Sequence, residues 1–245
     1  MNVPIPCGRI ARSIPVVLLA IACGDRGPEP ISVVPADARA VVGIASSRVL
    51  AKRLAPTVAR LPEAVGALDL VRSLAGIDLR DPDGCRQEGL DPDRGLAIAL
   101  HGDALLLFLP VTDPASAGRR LGLRLARLGL VEEASAGDVR RFSDGSEEGL
   151  HAALRVERRL AVACFGSAHA CEDLGLLPLS GPGADLSPVR NELSMPEADL
   201  VGRVSNRALL ELADRLGLPG TSSGMVGTIL GDLRFGVSLA GGLTR

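Results

Sequence analysis

Few side chains in this sequence could carry chemistry. His101, His151 and His169 are the only histidines in 245 residues. His169 lies inside Cys164-Phe-Gly-Ser-Ala-His169-Ala-Cys171, which places three metal-ligating side chains in one short stretch. Structural zinc sites draw four ligands, with cysteines paired at close spacings. Here the spacing is wide and a fourth ligand is missing, so no metal site is expected. Ser167 beside His169 offers a nucleophile next to a base, but a helix N-cap accounts for that serine. His101 adjoins Gly102-Asp103 and is read as a surface residue of a hairpin. Asp81-Pro-Asp83-Gly84 and Asp91-Pro-Asp93 suggest a calcium loop. A loop starting at Asp81 would put Arg86 where glycine is needed and Pro92 where the last acid is needed, so the pattern fails. Capping and turn formation explain these aspartates. Neither a G-x-S-x-G elbow nor a phosphate-binding G-x-x-x-x-G-K-[ST] loop occurs. No catalytic residue is assigned, no enzyme is expected, and no cofactor is implied.

One further cysteine sits in a different context. Arg9 and Arg12 precede a run of uncharged, mostly apolar residues from Ile14 to Ala22, and Cys23 follows directly. This has the three parts of a secretory leader. The run is too short to span a bilayer, which needs about 20 apolar residues. Pro15 also disfavours a helix interior there. Leu19-Ala-Ile-Ala-Cys23-Gly24 resembles the lipobox of bacterial lipoproteins, with Ala20 where leucine is commonest. The resemblance implies cleavage between Ala22 and Cys23 and a diacylglyceryl group, usually with an added N-acyl chain, on Cys23. Two or three acyl chains anchor stably where one does not, at about 0.8 kcal/mol per buried CH₂. Asp25 stands one place beyond the position of an inner-membrane retention aspartate. By that resemblance the protein is expected at the outer membrane, facing the periplasm. Residues 23–34 are read as the lipidated tether, and Gly27, Pro28, Glu29 and Pro30 within it as irregular chain.

The leader holds two arginines and no acid, so the mature 223 residues carry 25 basic and 29 acidic side chains, a net charge of −4. An acidic chain does not seek phosphate backbones, so nucleic acid is not an expected partner. With 47% hydrophobic residues the chain can bury a substantial core. There is no Trp or Tyr and only four Phe, which argues against sites built on aromatic stacking. After Cys7 and Cys23, the cysteines Cys85, Cys164 and Cys171 remain. Cys164 and Cys171 are the candidate disulfide, since one ends a strand and the other opens a helix. Three reduced, buried cysteines are the open alternative.

The elements that position these residues follow a strand and helix plan. Val41 to Leu50 and Leu200 to Leu209 match at Val42/Val201, Gly43/Gly202, Ser46/Ser205, Arg48/Arg207 and Leu50/Leu209. Each reads as a strand, a serine cap and a helix, which suggests an internal repeat of about 35–180 and 196–245, the second copy incomplete. Gly102-Asp103 predicts a hairpin between 95–100 and 104–109. A second hairpin is expected from 149–154 and 160–165, with a strand at 138–143 before it. Helices are expected over 47–55, 62–75, 114–128 and 206–216, with a short one between Asp81 and Gly89. Arg119, Arg120, Arg124 and Arg127 on the 114–128 helix are read as its solvated face, with a contact to anionic lipid headgroups as the alternative. Gly220, Gly224, Gly227 and Gly231 are spaced like a close-packing helix face or a loop. The tail at 232–240 alternates as a strand, and Gly241-Gly242 would turn it, yet only three residues follow. An unfinished edge, or a chain that continues past Arg245, is expected there.

This order predicts an α+β fold: antiparallel hairpins with helices packed on one face and repeated strand–helix units. Pro35-Ala-Asp ahead of Val41-Val-Gly-Ile44, Gly89-Leu-Asp-Pro92, Leu109-Pro-Val-Thr-Asp113 and Ala198-Asp-Leu-Val201 together resemble an uncharacterised family of bacterial envelope proteins with a domain of unknown function. That family supplies no catalytic residues. The expected role is a membrane-anchored envelope lipoprotein that binds or scaffolds another envelope protein. The alternative is a periplasmic carrier of acyl chains or other amphiphiles, for which a large apolar cavity inside the sheet–helix layer would speak.

Overall fold

The computed structural model describes residues 28–49, 51–52, 72, 77–78, 80–133, 135, 137–146, 149–179, 183–192, 199–205, 208 and 233–237. Their centre is one antiparallel sheet. In chain order its strands are β1 (Ala40–Ile44), β2 (Leu96–His101), β3 (Ala104–Pro110), β4 (Val131–Glu132), β5 (Val139–Ser143), β6 (His151–Glu157), β7 (Leu160–Gly166), β8 (Leu200–Val204) and β9 (Leu233–Val237). Across the sheet the order is β4-β5-β6-β7-β3-β2-β1-β8-β9. Among the described residues four helices have both ends defined: α1 (Pro82–Gln87), α2 (Pro114–Arg127), α3 (Ala168–Glu172) and α4 (Ser187–Glu192); residues 47–49 and 51–52 are helical as well. The fold is α+β.

Two hairpins make the middle of the sheet. The β2–β3 turn is Gly102-Asp103, with Gly102 at φ +55°. The β6–β7 turn is Arg158-Arg159, both left-handed at φ 46° and 62°. The hairpins meet where β3 pairs with β7, Leu105 opposite Phe165 and Pro110 opposite Leu160. β8 joins β1 with Val42 opposite Gly202 and Gly43 opposite Val201. β9 pairs with β8 and ends the described order on that side. Residues 238–245, including the Gly241-Gly242 turn, lie outside the described residues, as do the 206–216 helix beyond Ala208, most of 62–75, and Gly220 to Gly231.

Strand alternation splits the apolar side chains between two faces. On one face Leu107, Leu109, Leu154 and Phe165 pack with Ala117, Leu121 and Leu125 of α2 and with Cys85 of α1. On the other, Val41, Phe108, Val162 and Val201 pack under Val33, Val34, Cys171, Leu174, Leu186 and Val189. The one long described helix therefore covers a single face. The second face is covered by shorter elements: α3, α4 and two 3-10 turns, Pro30–Val33 and Asp173–Leu176. The first of these turns corrects the tether boundary. Pro30 opens regular structure, and Val33 and Val34 are buried, 5% and 0% exposed. The sheet core recruits the chain from about residue 30, not 35, because those valines cover strand side chains that helices leave bare.

The caps are local and legible. Asp81 accepts the Gly84 N–H at 2.9 Å. Asp113 accepts from Ala115 and Ser116 at 3.1 and 3.2 Å ahead of Pro114. Ser167 accepts from Ala170 at 3.3 Å. Each satisfies N–H groups that a helix start leaves unpaired.

Candidate functional site

Ala22 and Cys23 precede the described residues. At Pro28, the first described residue, the carbonyl accepts a 2.6 Å hydrogen bond from Arg94. The same guanidinium lies 3.6 Å from the Glu29 carboxylate, and the Arg94 side chain is only 12% exposed. Arg94 is held in place by the turn that leads into β2. The Ser32 hydroxyl donates to the Glu29 carbonyl at 2.7 Å and starts the 3-10 turn. Pro28 is five residue steps from Cys23, a reach of at most about 18 Å when fully extended.

Beside this attachment lies a cleft of about 580 Å³. Ile31, Ile44, Leu96 and Leu186 make its apolar walls, and Glu29 and Asp185 stand at its rim. Glycine makes the close approaches possible. A Cβ on Gly95 would sit 2.9 Å from the Ile44 carbonyl oxygen and 3.0 Å from that of Ala45. Asp185 accepts the Ser187 N–H at 2.8 Å. The Ser187 hydroxyl and N–H together hold its carboxyl below the usual range. The cleft could receive a small apolar group.

A second cleft, of about 280 Å³, brings together His101, Asp103, Ser167, His169 and Asp173. Sequence reasoning treated His101 and His169 separately. The β3–β7 pairing unites them, because it sets the Gly102-Asp103 turn against the chain that leaves β7. That long-range pairing has no local signal. Each group already has a local contact: His101 Nε2 is 3.3 Å from Asp37, and His169 Nδ1 is 3.2 Å from Glu172. Ser167 is occupied in capping α3. Cys164 lines the cleft and is joined to Cys171 by a disulfide, with Cα atoms 5.7 Å apart. His151 stands on β6 opposite Gly166 and belongs to neither of these clefts.

The remaining candidates are structural. Cys85 is a free thiol, 2% exposed, and burial pushes it up to about 11, so it stays protonated and inert at neutral pH. Asp93 accepts from Arg48, which holds its carboxyl below the usual range, and lies 3.5 Å from Arg86. Asp91 accepts the Asp93 N–H at 3.1 Å. Among the described residues no three His, Cys, Asp or Glu side chains are grouped to hold a metal ion. No described helix is long and apolar enough to cross a membrane. Of the four α2 arginines, Arg124 is not a solvated side chain. It reaches Glu88 at 2.7 Å with 26% of its side chain exposed.

The chain matches no protein-family model, and no curated protein is similar in sequence. The solved structures to which the chain is similar include two crystal forms of one protein. Crystal form I of TP0453 is 14% identical, with a TM-score of 0.45 over 86% of this chain and 73% of that one. Crystal form IV of TP0453 is 13% identical, with a TM-score of 0.41 over 73% and 64%.

Proposed function

We propose that this chain is a lipid-anchored protein of the bacterial cell envelope, held through Cys23 at the periplasmic face of the outer membrane, with a non-enzymatic binding or scaffolding role. The carrying observation is the convergence of Arg9 and Arg12, the short apolar run and the small residues Ala20 and Ala22 on Cys23. The capture of Pro28 and Glu29 by Arg94 supports it, because the domain would then ride within about 18 Å of the acylated residue. Mass spectrometry of the mature N-terminus is the test. A diacylglyceryl-modified Cys23 is expected, and Cys23→Ser should release the protein from membranes or leave its leader uncleaved. An unmodified N-terminus at another residue would overturn the reading.

The cleft beside Pro30 favours a second reading, a carrier of acyl chains or other amphiphiles. Its walls are Ile31, Ile44, Leu96 and Leu186. It opens at the surface near the tether, while the described sheet faces are filled by their own side chains. The scaffold reading therefore ranks first. Native mass spectrometry of the protein purified from membranes separates the two: a bound amphiphile beyond the mass of the N-terminal lipid would reverse the order.

A further inference from the structure

The outer face of α2 is unlike the other described helices. It carries no acidic residue, and Leu123 is 57% exposed near the middle of the helix. At about 100° per residue, Leu123 falls opposite the buried Ala117, Leu121 and Leu125. Arg119, Arg120 and Arg127 are exposed and flank it on the same side. Among the described residues none of these three has a carboxylate partner, whereas Arg124 and Arg140, at the margins of the helix, are both paired. Arg127 in the last turn would be favoured by the helix dipole alone. Arg119 and Arg120, in mid-helix, would not. Single exposed leucines are ordinary. A leucine at the centre of three unpaired arginines, on a helix with no acid and a chain whose net charge is −2, is not.

We propose that this face of α2 docks on an anionic lipid surface, with Arg119, Arg120 and Arg127 on headgroup phosphates and Leu123 at the acyl boundary. Arginine stems lie along apolar surface and keep the guanidinium at the interface. Basic residues around an exposed apolar side chain favour the headgroup plane. The charge is complementary to anionic lipid and repelled by nothing on the helix. This contact needs no lipid on Cys23, and it fixes an orientation that attachment at one point would not.

The full chain carrying Cys23→Ser is sedimented with vesicles of pure phosphatidylcholine and of equal parts phosphatidylcholine and phosphatidylglycerol. The same background carrying Arg119→Gln, Arg120→Gln and Arg127→Gln, or Leu123→Gln, is compared, so any contribution from the leader cancels. Three arginines at about 1 kcal/mol each predict roughly a hundredfold preference for the anionic vesicles. That preference should vanish in the triple variant and in high salt. Leu123→Gln should weaken binding roughly fivefold while keeping the salt dependence. Circular dichroism and melting temperature check that the variants fold, since all four side chains are on the surface. Equal binding of parent and triple variant would overturn the proposal. So would binding of soluble polyglutamate without a preference for anionic vesicles, which would assign the face to an acidic protein. Failure here leaves the mass of the N-terminus unaffected, so the anchor reading is judged separately.

Discussion

Val42 and Val201 occupy matching positions in two similar stretches of sequence, yet they face opposite sides of one sheet. Their strands are antiparallel neighbours, and Val42 lies opposite Gly202 while Gly43 lies opposite Val201. Val42 packs toward the layer that holds α2, and Val201 toward the layer under Val33 and Leu186. The serines behave differently. Ser46 accepts the Val49 N–H at 3.0 Å and Ser205 accepts the Ala208 N–H at 3.3 Å. The two stretches share a strand-then-cap chemistry but not a packing environment.

Truncation should expose that difference. Val201 is 0% exposed and Val42 is half-buried. Val201→Ala is expected to cost about 2 kcal/mol, and Val42→Ala under about 1 kcal/mol, from the apolar area each loses and the cavity each leaves. Urea midpoints at unchanged m-value measure both. Equal losses would contradict the assignment of faces.

Much of the sheet was legible because its signals are local. Gly102-Asp103 between apolar runs marks a hairpin, and Asp113-Pro114 marks a helix start. Asp81 and Gly89 bound α1, and Gly89 takes φ +82° as a helix stop requires. What was not legible depends on distant partners. The β3–β7 pairing creates the His101–His169 cleft, and nothing in either hairpin specifies it. α4 and the 3-10 turn Asp173–Leu176 are too short for periodicity to reveal. The tether boundary was misplaced because Val33 and Val34 are buried by strands far along the chain. For the site, composition singled out Cys23, Cys164 and Cys171, but neither cleft could be read before the strand order was known.

The Arg158-Arg159 turn makes a stability prediction. Both residues hold left-handed backbone, φ 46° and 62°, where side chains other than Asn and Gly are strained. The backbone contact there, the Val111 N–H donating to the Arg159 carbonyl at 2.9 Å, does not depend on either side chain. Replacing the pair with Arg158→Asn and Arg159→Gly should stabilise the protein by about 1 kcal/mol. A lower melting temperature in the double variant would show that these side chains hold the turn.

Gly95 should tolerate no side chain. An added Cβ would come within 2.9 and 3.0 Å of two backbone carbonyl oxygens, at Ile44 and Ala45. Backbone in a paired strand cannot step aside as a flexible side chain would. Gly95→Ala is expected to cost about 1–3 kcal/mol, in the range of overpacked cores, and to narrow the cleft beside the tether. Thermal denaturation measures the cost. A neutral substitution would mean that β1 shifts freely at this end.

The Cys164–Cys171 bridge closes a short loop, with a sequence separation of seven. Chain entropy for a loop of that size corresponds to about 2–3 kcal/mol. The Cys164→Ala, Cys171→Ala double variant should lose that much in urea unfolding. Reduction of the parent by dithiothreitol should lower its midpoint to a similar degree. A midpoint insensitive to reductant would mean that the buried sulfurs contribute through packing alone.

Cys85 supplies the last prediction, on pH. Burial raises its thiol to about 11, opposed in part by a hydrogen bond from Ser47. An unfolded thiol titrates near about 8.5. The folded state therefore keeps a proton that the unfolded state gives up. By linkage the resulting stability is fully present below the unfolded value and is lost as pH rises toward the folded one. Parent protein should lose stability between about 8.5 and about 11 beyond the loss shown by Cys85→Ala. At neutral pH the Ala variant pays only for the missing sulfur. Iodoacetamide gives an independent reading, because it attacks the thiolate. Folded protein should resist alkylation at neutral pH and react only in alkali or on unfolding. Rapid labelling of native Cys85 at neutral pH would show that the thiol between α1 and the sheet is reached by solvent.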